Sequence, residues 1–335
     1  MAAFFVILSI VLILIIAEAV MLFFVRHPNA LRRRSPKFQN AMAYLYVQGE
    51  RKVMQFLKGY GRYSPDFGYT LNPGEFVFTE REYSNRYCIN SLGVRDSEEA
   101  LTSPEIIVLG DSYALGWGVG QDETFTALLG RKTNLKVLNT SIPSFGTVRE
   151  MLMLDKIDRS NLKYLIIQYC GDDYDENLKF YLNGNKPQIM REETFHHITE
   201  IHSRPKHYYF GKYVWMKIQK KFREARFAPA HVSILQSEAD LFVHVLGQFQ
   251  SLIKGLPIII VDLGGKNRSG DFVAELKQKT STDGHPSFLE NLIILDLTQN
   301  LNASHFYVLD DHLTPEGHRV VADVIVRAME KAGTP

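Results

Sequence analysis

Only two cysteines, Cys88 and Cys170, occur in 335 residues, far apart and in no CxxC or Cys/His spacing. That excludes a disulfide-stapled miniprotein and argues against a zinc module, leaving two buried thiols as the plain reading. An excess of charge is missing too: 38 Lys plus Arg stand against 37 Asp plus Glu, a formal net charge of +1. A phosphate-binding surface usually shows a basic surplus, so no nucleic-acid partner is expected. Metal-ligand patterns are also absent. His196, His197 and His202 have no ordered carboxylates beside them, and the acidic pair Asp172 and Asp173 lacks matching His or Asp spacing. Neither a metal nor another cofactor is expected. What the chain does have is 45% hydrophobic residues, enough for a sizeable buried core.

One long apolar run is present, AAFFVILSIVLILIIAEAVMLFFV at 2–25. As a helix it extends about 36 Å at about 1.5 Å per residue, which crosses a bilayer. Glu18 is its only ionisable residue. Inserting it costs roughly 2 to 3 kcal/mol, outweighed by 17 Leu, Ile, Val and Phe residues at about 0.4 kcal/mol each. A cleaved signal peptide would need a shorter apolar region, a basic amino-terminal flank and a small-residue cleavage site. The run therefore reads as a permanent single-pass anchor, with Glu18 either contacting a membrane-protein partner or reaching toward the interface beside Arg26. Arg26, Arg32, Arg33, Arg34 and Lys37 all follow the span, so the positive-inside rule favours a cytoplasmic domain.

Residues 26–63 read as a basic juxtamembrane helical segment, packed as a connecting helix or lying on lipid. Residues 64–103, rich in turn formers and short aromatic runs, read as a small β-rich lead-in. From 104 to 332 five short apolar runs recur: IIVL at 106–109, VLN at 137–139, YLIIQY at 164–169, IIIVDL at 258–263 and LIILDL at 292–297. Helix-like stretches separate them, among them VREMLMLDKI, SEADLFVHVLGQFQSLIK and PEGHRVVADVIVRAMEKA. Such alternation implies an α/β fold with a parallel sheet covered on both faces, and sites at the carboxyl ends of its strands.

The residues after those runs carry the chemistry. GDSYALGWGVG follows the first and offers the Ser112 hydroxyl as a nucleophile. NTSIPSFGT follows the second, with Gly146 able to bring a backbone amide close to a substrate. CGDDYDEN follows the third, with Asn177 one turn beyond Asp172 and Asp173. Near the carboxyl end LDDHLTPEGH sets Asp310 two residues before His312, and a serine needs a base of that kind, an imidazole held by a carboxylate. His312, on a loop before a helix, suits the role better than His318, whose place within the helix favours packing or capping.

Together these blocks resemble the SGNH or GDSL hydrolase superfamily over roughly residues 104–330. The resemblance implies a flavodoxin-like three-layer α/β/α sandwich with a central parallel sheet. It implies Ser112 as nucleophile, His312 as general base and Asp310 as its orienting carboxylate, with Asp311 the lesser choice. It also implies an oxyanion hole from the Ser112 amide, the Gly146 amide and a side chain at the third block. There the chain departs from the pattern, because Asp172 stands where the family's donor Asn falls. An ionised carboxylate cannot donate, and losing one oxyanion donor typically costs about 2.7 to 4 kcal/mol. A protonated Asp172, a substitute donor such as Asn177, or a weakened catalyst are the three outcomes.

The expected activity is acyl transfer by a membrane-anchored serine esterase or O-acyltransferase on a lipid ester or acylated glycan, with membrane lipid nearby. The alternative is a weakened SGNH-fold scaffold or binding subunit of a membrane complex. Many anchored enzymes of this type work outside the cytoplasm, so the resemblance favours a periplasmic or extracellular domain, against the flanking charges. An insertion at 179–229 carries aromatic residues interleaved with Lys217, Lys220, Lys221, Arg223 and Arg226. It reads as an amphipathic lid, a membrane-facing helix or a packed surface helix.

Overall fold

The structure, a computed structural model, describes residues 1–171, 173–226, 237–263, 271–281 and 286–333. Asp172 and residues 227–229 of the insertion lie outside the described residues, as do the side chains of Arg223 and Arg226.

The apolar run forms α1 (Ala2–Arg26), exposed over residues 3–16 and progressively covered beyond them. After the short α2 (Pro28–Leu31), helix α3 (Pro36–Gly49) opens with a proline in its first turn, where the missing N–H costs nothing. The helical segment expected through residue 63 stops at Gly49. Glu50 leaves helical geometry there (φ −131°, ψ −38°), and two glycines in KGYG then shape the entry to the hairpins: Gly59 takes a left-handed φ of 90°, and a Cβ on Gly61 would sit 2.0 Å from the Gln55 carbonyl oxygen. Two antiparallel hairpins follow, β1 (Gly61–Ser64) with β2 (Gly68–Leu71) and β3 (Gly74–Thr79) with β4 (Ser84–Ile89).

The central sheet is parallel. Its strands are β5 (Ile106–Leu109), β6 (Val137–Asn139), β7 (Tyr164–Tyr169), β8 (Ile258–Asp262) and β9 (Leu292–Asp296), in the spatial order β6-β5-β7-β8-β9. Renumbered from β5, that is the flavodoxin-like order 2-1-3-4-5, whose switch point lies beside the first strand. The period of two along each strand divides the core. Ile106, Val108, Ile166, Ile259 and Val261 pack on α5 (Phe125–Thr133) and α13 (Pro315–Lys331). Ile107, Leu109, Leu165, Ile167, Ile258 and Ile260 face the other way. That side is covered by α6 (Thr147–Asp155), α7 (Asp173–Leu182), α10 (Glu238–Gln248) and α12 (Asp271–Ser281). The stretch at 237–254 is two helices rather than one, because Phe249 leaves helical geometry (φ −109°, ψ 17°) between α10 and the short α11 (Gln250–Ile253).

The insertion contributes α8 (Glu192–Ser203) and α9 (Lys212–Arg226). Tyr213 and Met216 of α9 join Phe24 and Val25 of α1, Leu45 and Tyr46 of α3, and Leu309 in a satellite core. Glu18 finds its hydrogen-bond donors within the chain. Its buried carboxylate caps α9, accepting from the backbone N–H of Tyr213 (3.1 Å) and Val214 (2.8 Å) and from the Tyr208 hydroxyl (3.0 Å). No disulfide joins Cys88 and Cys170, and both thiols are only half-buried rather than buried.

Candidate active site

The site begins where β5 ends. Gly110 makes the exit possible: a Cβ there would lie 2.7 Å from Ala114 Cβ and 2.8 Å from Gln168 Oε1. Asp111 then caps the next turn, its Oδ1 accepting from the Tyr113 N–H at 2.8 Å, and Ser112 opens α4 (Ser112–Leu115) half-buried. Beneath it the buried Gln168 of β7 accepts from the N–H groups of Asp111 and Ala114, both at 3.2 Å. The hydroxyl of Ser112 is thus carried on a turn pinned from below.

His312 arrives from the loop before α13. Its carbonyl accepts from the Tyr307 N–H at 2.9 Å, and its ring stacks on Trp117 at 5.1 Å and 16°. The structure brings His312 Nε2 to 2.7 Å from Ser112 Oγ and His312 Nδ1 to 2.5 Å from Asp310 Oδ1. With a carboxylate facing Nδ1, that nitrogen carries the ring hydrogen, and Nε2 is left to accept from the serine hydroxyl. Asp311 is half-exposed, its nearest oxygen 3.9 Å from Nδ1, so Asp310 is the carboxylate that orients the ring.

Asp310 is fully buried and needs its charge met. Besides His312, it accepts from Tyr83 Oη (2.5 Å), Trp117 Nε1 (3.2 Å) and Arg51 (3.3 Å). Burial alone would push its pKa up; the His312 charge and hydrogen bond, with Arg51 and Tyr83, outweigh it and hold the carboxyl well below its usual range. Tyr83 lies between β3 and β4 and Arg51 just past α3, so segments before residue 104 complete the surroundings of Asp310. Nothing in the local motifs signals these partners, because they lie 193 to 259 positions from Asp310 in sequence.

The other expected residues are placed differently. The Gly146 N–H donates to Glu176 Oε2 at 3.1 Å, and a Cβ on Gly146 would sit 2.9 Å from Glu176 Cβ. Its amide is engaged in the packing of α6 against α7. Ser144, held at a left-handed φ of 60°, lines the cavity of Ser112. Among the described residues, the N–H groups of Ser112 and Ser144 make no hydrogen bond. The one sequence signal for Ser144 is its place after Pro143 in the turn-forming SIPSFG.

Asn177 is also turned away: it is fully buried and donates to Thr147 Oγ1 at 3.2 Å. Asp173 accepts from Thr147 Oγ1 and the Cys170 N–H, both at 2.9 Å, and burial followed by the nearby Asp111 charge pushes its pKa well up. His318 packs inside, its Nδ1 accepting from the Phe125 N–H at 3.1 Å. Burial, then the charges of Arg95 and His312, push its pKa down to about 3, so it stays neutral. His196, His197 and His202 lie on α8, away from Ser112.

Ser112 and His312 open into a cavity of about 600 Å³ whose far wall comes from Tyr44 and Gln48 of α3 and Lys220 of α9. The lining mixes hydroxyl, amide and cationic groups with apolar surface. Such a cavity takes an ester of moderate size and holds its carbonyl before a hydroxyl paired to a base.

No family model matches this chain, and no curated protein matches it. Solved structures do. The chain is similar to a candidate lipolytic protein of the G-D-S-L family from Desulfitobacterium hafniense, at 14% identity and TM-score 0.36, over 67% of this chain and 98% of that one. It is similar to an active-site mutant of a family two carbohydrate esterase from Clostridium thermocellum, at 10% identity and TM-score 0.41, over 69% of this chain and 64% of that one. A salicylyl-acyltransferase from a tetracycline biosynthetic pathway is similar at 12% identity and TM-score 0.38, over 71% of this chain and 56% of that one.

Proposed function

We propose that this chain is a membrane-anchored serine esterase or O-acyltransferase of the SGNH type. The observation that carries the reading is the continuous relay from buried Asp310 through His312 to Ser112, 2.5 Å and 2.7 Å, whose serine and histidine open into one cavity. His312 takes the Ser112 proton as Oγ attacks the ester carbonyl, and Asp310 stabilises the imidazolium that forms. The oxyanion that develops is met by the free amides of Ser112 and Ser144. The imidazolium returns its proton to the leaving alkoxide, and the acyl group stays on Ser112 until a second hydroxyl accepts it. Water as acceptor gives hydrolysis; a sugar hydroxyl gives transfer.

The substrate class proposed is a lipid ester or an acylated glycan presented near the membrane, because α3, which follows the anchor, and α9, which packs against it, also wall the cavity. The anchor is α1, a helix long and apolar enough to span. The domains proposed are the span at 2–25, the juxtamembrane and lead-in segments that follow it, and the catalytic unit at 104–332.

The test is turnover of short p-nitrophenyl acyl esters by the detergent-solubilised chain, with and without a saccharide acceptor. Ester cleavage that Ser112→Ala removes supports the reading, and acylated saccharide among the products selects transfer. A folded protein that turns over neither favours a binding subunit.

A further inference from the structure

Helix α9 has two apolar faces, and its neighbours use one. Tyr213 and Met216 pack into the satellite core, whereas Trp215, Ile218 and Phe222 point away from it, at positions three and four apart. These three, with Tyr209 and Phe210 just before the helix, are between 39% and 72% exposed. An aqueous surface gains nothing from such a stripe, and its size sets it apart from scattered exposed apolar residues.

The depth of this helix follows from its cap. Glu18 of α1 accepts from the first-turn N–H groups of Tyr213 and Val214, so the start of α9 lies level with residue 18 of the apolar run. Residues 3–16, the freely exposed part of α1, rise about 21 Å. A bilayer core is about 30 Å thick, so the span must continue to roughly Leu22. That places Glu18, and with it the first turn of α9, about 6 Å inside the edge of the apolar slab, the depth at which an amphipathic interfacial helix lies. The three hydrogen bonds on Glu18 then answer its insertion: the carboxylate enters already satisfied by the helix it caps. Trp215 and Tyr209 stand where interfacial aromatics gather.

We propose that the Trp215, Ile218 and Phe222 face of α9 is a second membrane contact, lying in the lipid interface beside α1. This rests on the reading of α1 as a bilayer anchor and is independent of the chemistry at Ser112. The cavity mouth, which Lys220 of α9 shares, is then held at the lipid surface, where an amphiphilic ester reaches it without crossing water.

The chain carries only two tryptophans, and Trp117 is buried against His312, so Trp215 is a built-in depth probe. The full-length protein is reconstituted into phosphatidylcholine vesicles with plain or brominated acyl chains, and flotation is scored beside fluorescence. The proposal expects co-flotation, with bromine quenching of the emission component that Trp215→Phe removes. Co-flotation with that component unquenched by bromine overturns the proposal while leaving the anchor standing. Failure to co-float overturns both. Neither readout involves ester turnover, so the fate of the acyl-transfer reading is scored separately.

Discussion

Tyr83, in the hairpin turn ahead of the catalytic sheet, donates its hydroxyl to Asp310 over 2.5 Å and accepts from Trp117 Nε1 over 2.6 Å. The carboxylate that faces His312 is therefore fixed in part by residues that precede the central sheet. Tyr83→Phe is expected to lower kcat about 10-fold with KM little changed, the loss of one charged-group hydrogen bond of about 1.5 kcal/mol felt mainly in the transition state. Steady-state kinetics on a soluble ester check it; a change confined to KM would assign Tyr83 to substrate binding.

The two glycine-loop positions separate chemistry from packing. Ser144→Gly keeps the amide and relieves the left-handed φ of 60°, so activity is expected to stay near that of the parent. Gly146→Ala is expected to lower Tm, because its Cβ would press on Glu176, which ties Arg149 and the Gly146 amide together. Thermal unfolding and ester turnover measured on both variants test the assignment. A Gly146→Ala variant of unaltered Tm and abolished turnover would return the oxyanion role to Gly146.

The strand signals in the chain were legible because a parallel strand buried on both faces must be apolar throughout. Thus IIVL, VLN and YLIIQY coincide with β5, β6 and β7, and the last two strands end one residue before their apolar runs do. Ser112, Asp310 and His312 were legible for a different reason: each sits in a short local block that turn chemistry punctuates. Gly146 carries a signal because a glycine favours close backbone approach, whereas Ser144, which takes the left-handed φ of 60°, carries only the turn chemistry of SIPSFG. Tyr83, Trp117 and Arg51 carry no local signal, since their role exists only once distant segments meet around Asp310. The partner of Glu18 was hidden likewise, lying 190 or more positions away.

Removing that carboxylate has a defined effect. Glu18→Ala is expected to cost about 0.5 to 2 kcal/mol of stability through loss of the α9 cap. Limited proteolysis of the detergent-solubilised protein should show faster cleavage between Arg204 and Lys221, with Glu18→Gln intermediate. Cleavage at the parent rate would mean that the cap does not hold α9 in place.

Glu150 gives a pH-dependent prediction. It is fully buried, neither carboxyl oxygen has a hydrogen-bond partner among the described residues, and burial, followed by the charges of Asp173, Asp111 and Glu176, pushes its pKa well above 4.5. The folded chain therefore keeps this proton to a higher pH than the unfolded chain does. Stability linked to the group is full below about pH 4.5 and is lost as pH rises. Glu150→Gln should raise Tm at pH 8, with the gain shrinking toward pH 4. A gain that grows on acidification would reverse the sign and contradict the assignment.

The relay itself is tested most directly by treating the folded, detergent-solubilised protein with a fluorophosphonate and mapping the adduct by peptide mass. Covalent modification at Ser112, abolished in Ser112→Ala and slowed at least about 1000-fold in His312→Ala, is the predicted result. Wild-type protein of native far-ultraviolet circular dichroism that takes up no label at Ser112 would contradict it.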